Sequence, residues 1–275
     1  MSFIQDFIEF PFIQYAFLSI IFLTLVCGII SPFIIVKKSA FMGAAISHSA
    51  LLGVAVALAL FGESNPWGIY LITGLITSVL ALFLASMTFR QKIPSDGLIG
   101  IFFTTTMGLG MIIHQQFAAN QGDLLSYLFG NILLITSFDV ILAFLLLVIA
   151  GLCILPFYRH WIYFSYDEEM AFTQGLPTKL LHFLFYFIIT FIIVSSLKIA
   201  GTVLINTLLL VPGVFALKFS SNTKSLLWYS CLFSLGSGIF SFILANHIEW
   251  PVGPTLSVFQ FLLLIVFLGI KKIKN

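Results

Sequence analysis

A single histidine within an apolar segment is the residue of this chain best suited to chemistry. His48 stands in the run Ser47-His48-Ser49, about ten residues after the basic pair Lys37-Lys38. At ~1.5 Å of rise per residue it lies ~15 Å along an apolar helix, near the middle of a bilayer. An ionisable group there is costly and faces a bundle interior or a water-filled path. Because neutral imidazole is the commonest protein ligand for transition metals, two interpretations stay open: a metal ligand, or a structural histidine bonded to another helix.

Two residues of a later apolar run, 201–218, add to this candidate site. Asn206 carries an amide that needs a partner in lipid, so it predicts either an interhelical hydrogen bond or a second-shell partner of a metal ligand. Pro212 removes a backbone hydrogen bond inside the run and predicts a kink. A kinked membrane helix is either a packing feature or a moving part of a transporter, which makes Pro212 a candidate gating position.

A third candidate region is the polar connection 156–177. The run Asp167-Glu168-Glu169 places acidic residues where a helix can begin, and Gly175 stands where it can end. We expect a short amphipathic helix with Met170 and Phe172 available to contact a partner. The alternative is a solvated connection with one capped helical turn.

The composition indicates that these residues lie in a membrane protein. Only 8% of the 275 residues are charged, 60% are hydrophobic and the mean hydropathy is +1.15, whereas a soluble domain carries about 25% charge. The net charge of +2 is small and scattered, which argues against nucleic-acid binding.

Cys27, Cys153 and Cys231 lie apart in apolar runs and form no disulfide or zinc framework. The chain contains no phosphate-binding loop of the G-x-x-x-x-G-K-[ST] type, so it does not hydrolyse ATP by that route.

The apolar runs predict an all-α, polytopic transmembrane helical bundle with eight or nine membrane segments in one domain, 1–275. The stretch 124–133 is too short to cross and predicts a re-entrant or interfacial piece. The candidate crossings are 15–36, 40–61, 67–88, 96–114, 134–157, 180–197, 201–218, 226–245 and 253–270.

Basic residues predict the orientation, since short cytoplasmic loops are enriched in Lys and Arg. Nine alternating crossings place all but Lys198 of the 12 Lys and Arg residues on one side. This predicts an outer N-terminus and a cytoplasmic C-terminus, with Lys198 extending to the outer interface.

Several segments, taken in order, resemble the permease subunits of bacterial ABC importers for zinc and manganese, the ABC-3 metal permease family. The resemblance covers most of the chain, and its specificity comes from the ordered set. The matching segments are 37–43 leading into 46–55, 96–104, 123–131, Asp167-Glu168-Glu169-Met170-Ala171 with Gly175, 197–212 and 251–255.

The resemblance implies a BtuC-like, type II importer-like permease in the bacterial inner membrane that pairs with a second copy as a homodimer. It implies cytoplasmic ABC ATPase subunits on the loop at about 158–179, and an extracytoplasmic metal-binding protein that delivers the ion. It implies a transported divalent metal, zinc first and manganese next, with no resident cofactor and no enzymatic activity of the chain's own. The family usually has an aspartate four positions before the intramembrane histidine, where this chain has Ala44. Two other classes stay open: a stand-alone secondary carrier or channel, and a non-transporting membrane scaffold.

Overall fold

The chain forms a helical bundle in which every regular element of the described residues is a helix. The computed structural model describes residues 7, 9–62, 65–89, 95–118, 124–130 and 135–274; Arg90, Lys92 and Asp123, used above for orientation and resemblance, lie outside them. We number the helices α1 Pro11–Val36, α2 Ala40–Phe61, α3 Pro66–Thr88, α4 Ser95–Ile113 (continued by the π-helical turn His114–Ala118), α5 Leu124–Phe129, α6 Ser137–Ile154, α7 Tyr158–Tyr166, α8 Glu168–Thr173, α9 Thr178–Phe219, α10 Thr223–Ile248 and α11 Val252–Lys274.

Eight of these helices are long and apolar enough to cross a membrane, counted over the described residues. The chain is therefore a multi-pass membrane protein, and the predicted fold class is confirmed. Local sequence sets several helix starts: Pro66 begins α3 behind Asn65, whose side chain accepts a hydrogen bond from Gly68 N at 3.1 Å. The short stretch at 124–129 forms α5, whose six residues cannot cross.

Helix α9 contains two of the predicted crossings. Its 42 residues correspond to ~63 Å, twice the ~30 Å of a bilayer core. Within it Gly201 leaves helical geometry, with φ 69° and ψ 167°. The two halves run in opposite directions. Near the start of α9, Tyr186 contacts Thr88 at the end of α3, and near its end Gly213 contacts Ser31 close to the end of α1. Between them, at the bend, Lys198 contacts Asp139 at the start of α6. The halves correspond to the predicted runs 180–197 and 201–218.

The reversal of α9 falls at Gly201, directly after the predicted boundary between the runs 180–197 and 201–218. The kink at Pro212 stays a prediction. The backbone around Pro212 keeps helical dihedral angles, and the amide of Gly213 donates to Ser31 Oγ at 2.7 Å. That hydrogen bond ties the second half of α9 to α1. At Gly201 a Cβ would collide with the backbone of Gly130, just after α5, so this position requires glycine.

The helix that carries His48 packs closely because its contacts are made by small residues. Gly53 of α2 lies against the backbone of Thr73 in α3, and a Cβ there would stand 3.0 Å from it. Gly110 of α4 lies equally close to the backbone of Leu52, with 3.1 Å to a built Cβ. Small residues let membrane helices approach in this way. As a result α2 is held between α3 and α4 with its middle third at the centre of the bundle.

Candidate functional site

His48 lies half-buried on α2, where α4 passes it. Its ring meets Phe103 of α4 edge-on, with the centroids 4.6 Å apart. Its Nδ1 lies 2.8 Å from the carbonyl oxygen of Ala44, one turn earlier. A carbonyl only accepts, so Nδ1 carries the proton and Nε2 of the neutral ring keeps its lone pair. That is the form in which imidazole binds a metal ion.

A polar contact from the returning half of α9 lies beside this ring. The hydroxyl of Ser47 is 2.9 Å from Oδ1 of Asn206 and 3.3 Å from Nδ1 of His48. The interhelical hydrogen bond predicted for Asn206 is therefore confirmed, and its partner is the residue next to His48. The hydroxyl of Ser47 thus lies on the side of Nδ1, the protonated nitrogen, and links His48 to Asn206 at one level of the bundle.

The carboxylate that would complete a metal site on α2 is absent from the position where the family resemblance places it. Ala44 is half-buried, and its backbone carbonyl accepts from His48. Among the described residues no group of three or more His, Cys, Asp and Glu side chains could hold a metal ion.

At the outer end of the bundle, the predicted position of Lys198 is wrong. Its Nζ does not extend to the interface but lies 3.1 Å from Oδ2 of Asp139, whose side chain is fully buried. Asp139 also accepts from the hydroxyl of Tyr70 at 2.5 Å and from N and Oγ1 of Thr136 at 2.7 and 2.8 Å. A buried carboxylate needs such partners, and it attracts the cation inward.

Part of this arrangement around Asp139 can be predicted from the sequence of residues 136–139. Thr136 and Asp139 form a capping box at the start of α6, a pattern readable from their spacing of three. The partner Lys198 could not be read from that pattern, because it is 59 residues away. Next to the pair is a cavity of about 220 Å³ between α2, α3, α5 and α9, lined by Tyr70, Thr73, Tyr127 and Lys198 among apolar residues.

At the opposite end, the predicted short helix of the polar connection is confirmed as α8. Asp167 caps it by accepting from the amide of Met170 at 2.9 Å. Gly175 follows the helix with a positive φ of 82°. The side chains of Met170 and Phe172 are 56% and 55% exposed. Glu169 is exposed beside them, so α8 presents these three side chains on the surface of the chain.

Glu168 is half-buried and turns towards the bundle. One of its carboxylate oxygens lies 2.9 Å from Nζ of Lys37 and 3.7 Å from Nδ1 of His182. Burial alone would raise the pKa of Glu168, but the imidazole of His182 and the charge of Lys37 outweigh it and lower the pKa. Burial lowers the pKa of Lys37, and Glu168 opposes that shift. The residue therefore joins α8 to the bundle.

Comparison with known proteins identifies the class of this bundle. Residues 9–271 match the model of the ABC 3 transport family. The chain belongs to that family. This confirms the resemblance drawn from the ordered segments, and it covers nearly the whole chain.

Relatives of the ABC 3 chain span most of its length. It is 29% identical to a probable metal transport system membrane protein of Thermotoga maritima, over 95% of this chain and 90% of the relative. It is 30% identical to the manganese transport system membrane protein MntC of Halalkalibacterium halodurans, over 86% of this chain and 80% of the relative. Among solved structures, PsaBC from Streptococcus pneumoniae in complex with Fab matches with a TM-score of 0.82 and 26% identity, over 96% of this chain and 93% of the other.

Within the ABC 3 fold, the structure brings some predicted site residues together and separates others. His48 and Asn206 meet through Ser47 in the middle of the bundle. Glu168 lies at the inner end, the end that also holds Lys37 and Lys218. Pro212 stands between these levels, next to the contact of Gly213 with Ser31. The candidate metal ligand and the candidate coupling segment are thus distinct sites, connected through α1, α2 and α9.

Proposed function

We propose that this ABC 3 chain is the membrane-spanning permease subunit of an ATP-driven importer for a divalent transition-metal ion. The observation that supports this most directly is the imidazole of His48, half-buried in the middle of the bundle with a free Nε2. The similarity to metal transport membrane proteins of other bacteria supports the same class of cargo. The chain would lie in the bacterial inner membrane and act as one transmembrane permease domain.

The proposal includes partners that the chain needs for transport. A second copy, which the family resemblance implies, would complete the passage beside α4 and His48. Cytoplasmic ATPase subunits would dock on the face of α8 with Glu169, Met170 and Phe172. An extracytoplasmic metal-binding protein would deliver the ion to the outer end. ATP-driven closure of the ATPase pair would then move α8 and change the packing of the helices that carry His48 and Pro212.

For the transported ion we propose zinc first and manganese second. Neutral imidazole suits both ions, and histidine alone does not discriminate between them. The similarity to a manganese transport membrane protein keeps manganese as the second candidate. Competition between the two ions in an uptake assay would rank them.

The experiment that tests the function is metal uptake into vesicles. Vesicles containing this chain with its ATPase and binding protein should accumulate zinc or manganese when ATP is supplied, and should not when ATP is omitted. Vesicles containing this chain alone serve as the comparison. Gradient-driven uptake by the chain alone would favour a stand-alone carrier, and absence of uptake in every arm would favour a scaffold.

A further inference from the structure

Three titratable side chains from three separate helical segments meet directly behind α8. Lys37 is the C-cap residue of α1, Glu168 is the first residue of α8, and His182 lies in the first turns of α9. The oxygen Oε2 of Glu168 accepts a hydrogen bond from Lys37 Nζ at 2.9 Å, and lies 3.7 Å from His182 Nδ1, beyond hydrogen-bond distance. One carboxylate thus binds the short helix to the end of α1 and lies against the first turns of α9.

The two basic residues are themselves held firmly by the bundle. Lys37 Nζ lies 3.7 Å from the ring centroid of Phe164, a fully buried residue of α7. His182 Nε2 lies 3.2 Å from the carbonyl oxygen of Ala85 in α3. Their side chains are only 11% and 6% exposed. A charge-assisted hydrogen bond in such a setting is short, directional and poorly screened by water, so it resists displacement.

The positions of these residues decide what a movement of α8 would reach. Lys37 stands three residues before Ala40, where α2 begins, and α2 carries His48 eight residues further on. His182 starts the first half of α9, and the second half carries Asn206. A displacement of Glu168 therefore acts on the α1–α2 junction and on the first half of α9. The bend at Gly201 joins that half to the half that carries Asn206.

We propose that Glu168 is a positioning residue that transmits movement of α8 to the α1–α2 junction through Lys37 and to α9 through His182. The inference rests on the proposed function, because it gives the coupling segment its mechanical attachment. It also divides the acidic run: Glu169 belongs to the exposed docking face, and Glu168 to the attachment. Docking and transmission are then separable by substitution.

The test uses the complex of this chain with its ATPase and binding protein in vesicles, and measures metal uptake and ATP hydrolysis together. In Glu168→Gln and Lys37→Met we expect metal imported per ATP hydrolysed to fall by at least about fivefold, the lower end of typical coupling between sites. ATP hydrolysis and recovery of the assembled complex should persist. Lys37→Arg keeps the cation over Phe164 and should retain most of the uptake. Lys224→Met, which removes an exposed cation on the same side, is the matched control.

The double variant Lys37→Met/Glu168→Gln gives the sharpest criterion. If the two residues act as one attachment, the double variant should be no worse than the more severe single variant. If the losses of uptake in the two single variants add up in the double variant, the residues do not act as one attachment. If uptake and ATP hydrolysis fall together with the melting temperature, the contact is only structural. Failure of the wild-type complex to import metal would instead contradict the proposed function and is recognised before any variant is compared.

Discussion

Lys198 and Asp139 form an ion pair between the outer bend of α9 and the start of α6, with Nζ 3.1 Å from Oδ2. The carboxylate is fully buried, and Tyr70 and Thr136 occupy its remaining acceptor positions. The pair fixes the level at which α9 turns, since Gly201 follows three residues later.

Replacing Asp139 with Asn should destabilise the protein strongly. The substitution leaves the Lys198 ammonium without its counter-charge, and removing one partner of a buried pair costs about 3–5 kcal/mol. Thermal unfolding in detergent should show the loss as a lower midpoint. Asp96→Asn, at an exposed position near the start of α4, is the control and should change the midpoint little. Equal midpoints for the two variants would contradict the structural role of the pair.

His48→Ala should abolish transport and leave the protein folded. Loss of the imidazole should reduce uptake by at least about tenfold, the loss that follows even when only a partner of a metal ligand is removed. The measurement is the uptake rate at several metal concentrations, with complex recovery as a check on folding. His160→Ala removes an exposed imidazole from α7 and is the matched control. Unchanged uptake kinetics in His48→Ala would assign the ring to packing alone.

Ala44→Asp should strengthen metal binding. Residues four apart lie on one helix face with Cβ atoms about 5–6 Å apart, so the new carboxylate would stand next to the imidazole of His48. We expect the affinity for zinc or manganese to rise by about tenfold, the size of effect of one group at a metal site. Ala44→Asn offers the same shape without the charge. An increase that survives in Ala44→Asp/His48→Ala would show that His48 does not share the ion.

Gly201→Ala should prevent normal folding. The backbone at Gly201 has φ 69° and ψ 167°, a region that costs a residue with a Cβ about 1–3 kcal/mol. The added methyl group would also collide with the backbone of Gly130. Low recovery of monodisperse protein is the expected readout. Gly108→Ala, in α4, meets nothing within 4 Å and should be recovered normally.

Met170→Asp should prevent ATPase docking without loss of stability. The Met170 side chain is 56% exposed, so a charged residue there costs the isolated chain little. It places charge in the apolar patch that we assign to the ATPase, where burial in an interface is unfavourable. Co-purification of the ATPase with this chain measures the effect. Ile248→Asp, at a position 40% exposed at the other end of the bundle, tests whether any new surface charge is sufficient to prevent docking. Normal docking of Met170→Asp would contradict a place for α8 in the interface.

Local patterns predicted what depends on neighbouring residues. Hydropathy located the crossing segments, including the pair that forms α9, because a run of about 20 apolar residues must be a helix in lipid. Asp167 and Gly175 predicted the ends of α8, since caps act within one turn. The kink at Pro212 stays a prediction. What the sequence did not show is that the amide of Gly213 donates to Ser31 of another helix, and that the reversal of α9 uses the positive φ of Gly201.

By itself, then, the amino-acid sequence determined the membrane class, the succession of membrane helices and the family. Only the tertiary structure decided that Lys198 turns inward to Asp139, that Glu168 turns away from the docking face to Lys37, and that Asn206 meets Ser47 beside the imidazole. Each of these contacts joins residues 59 or more positions apart. Hydropathy and capping are local properties of the chain, but the partner of a buried polar group is chosen by which helices pack together.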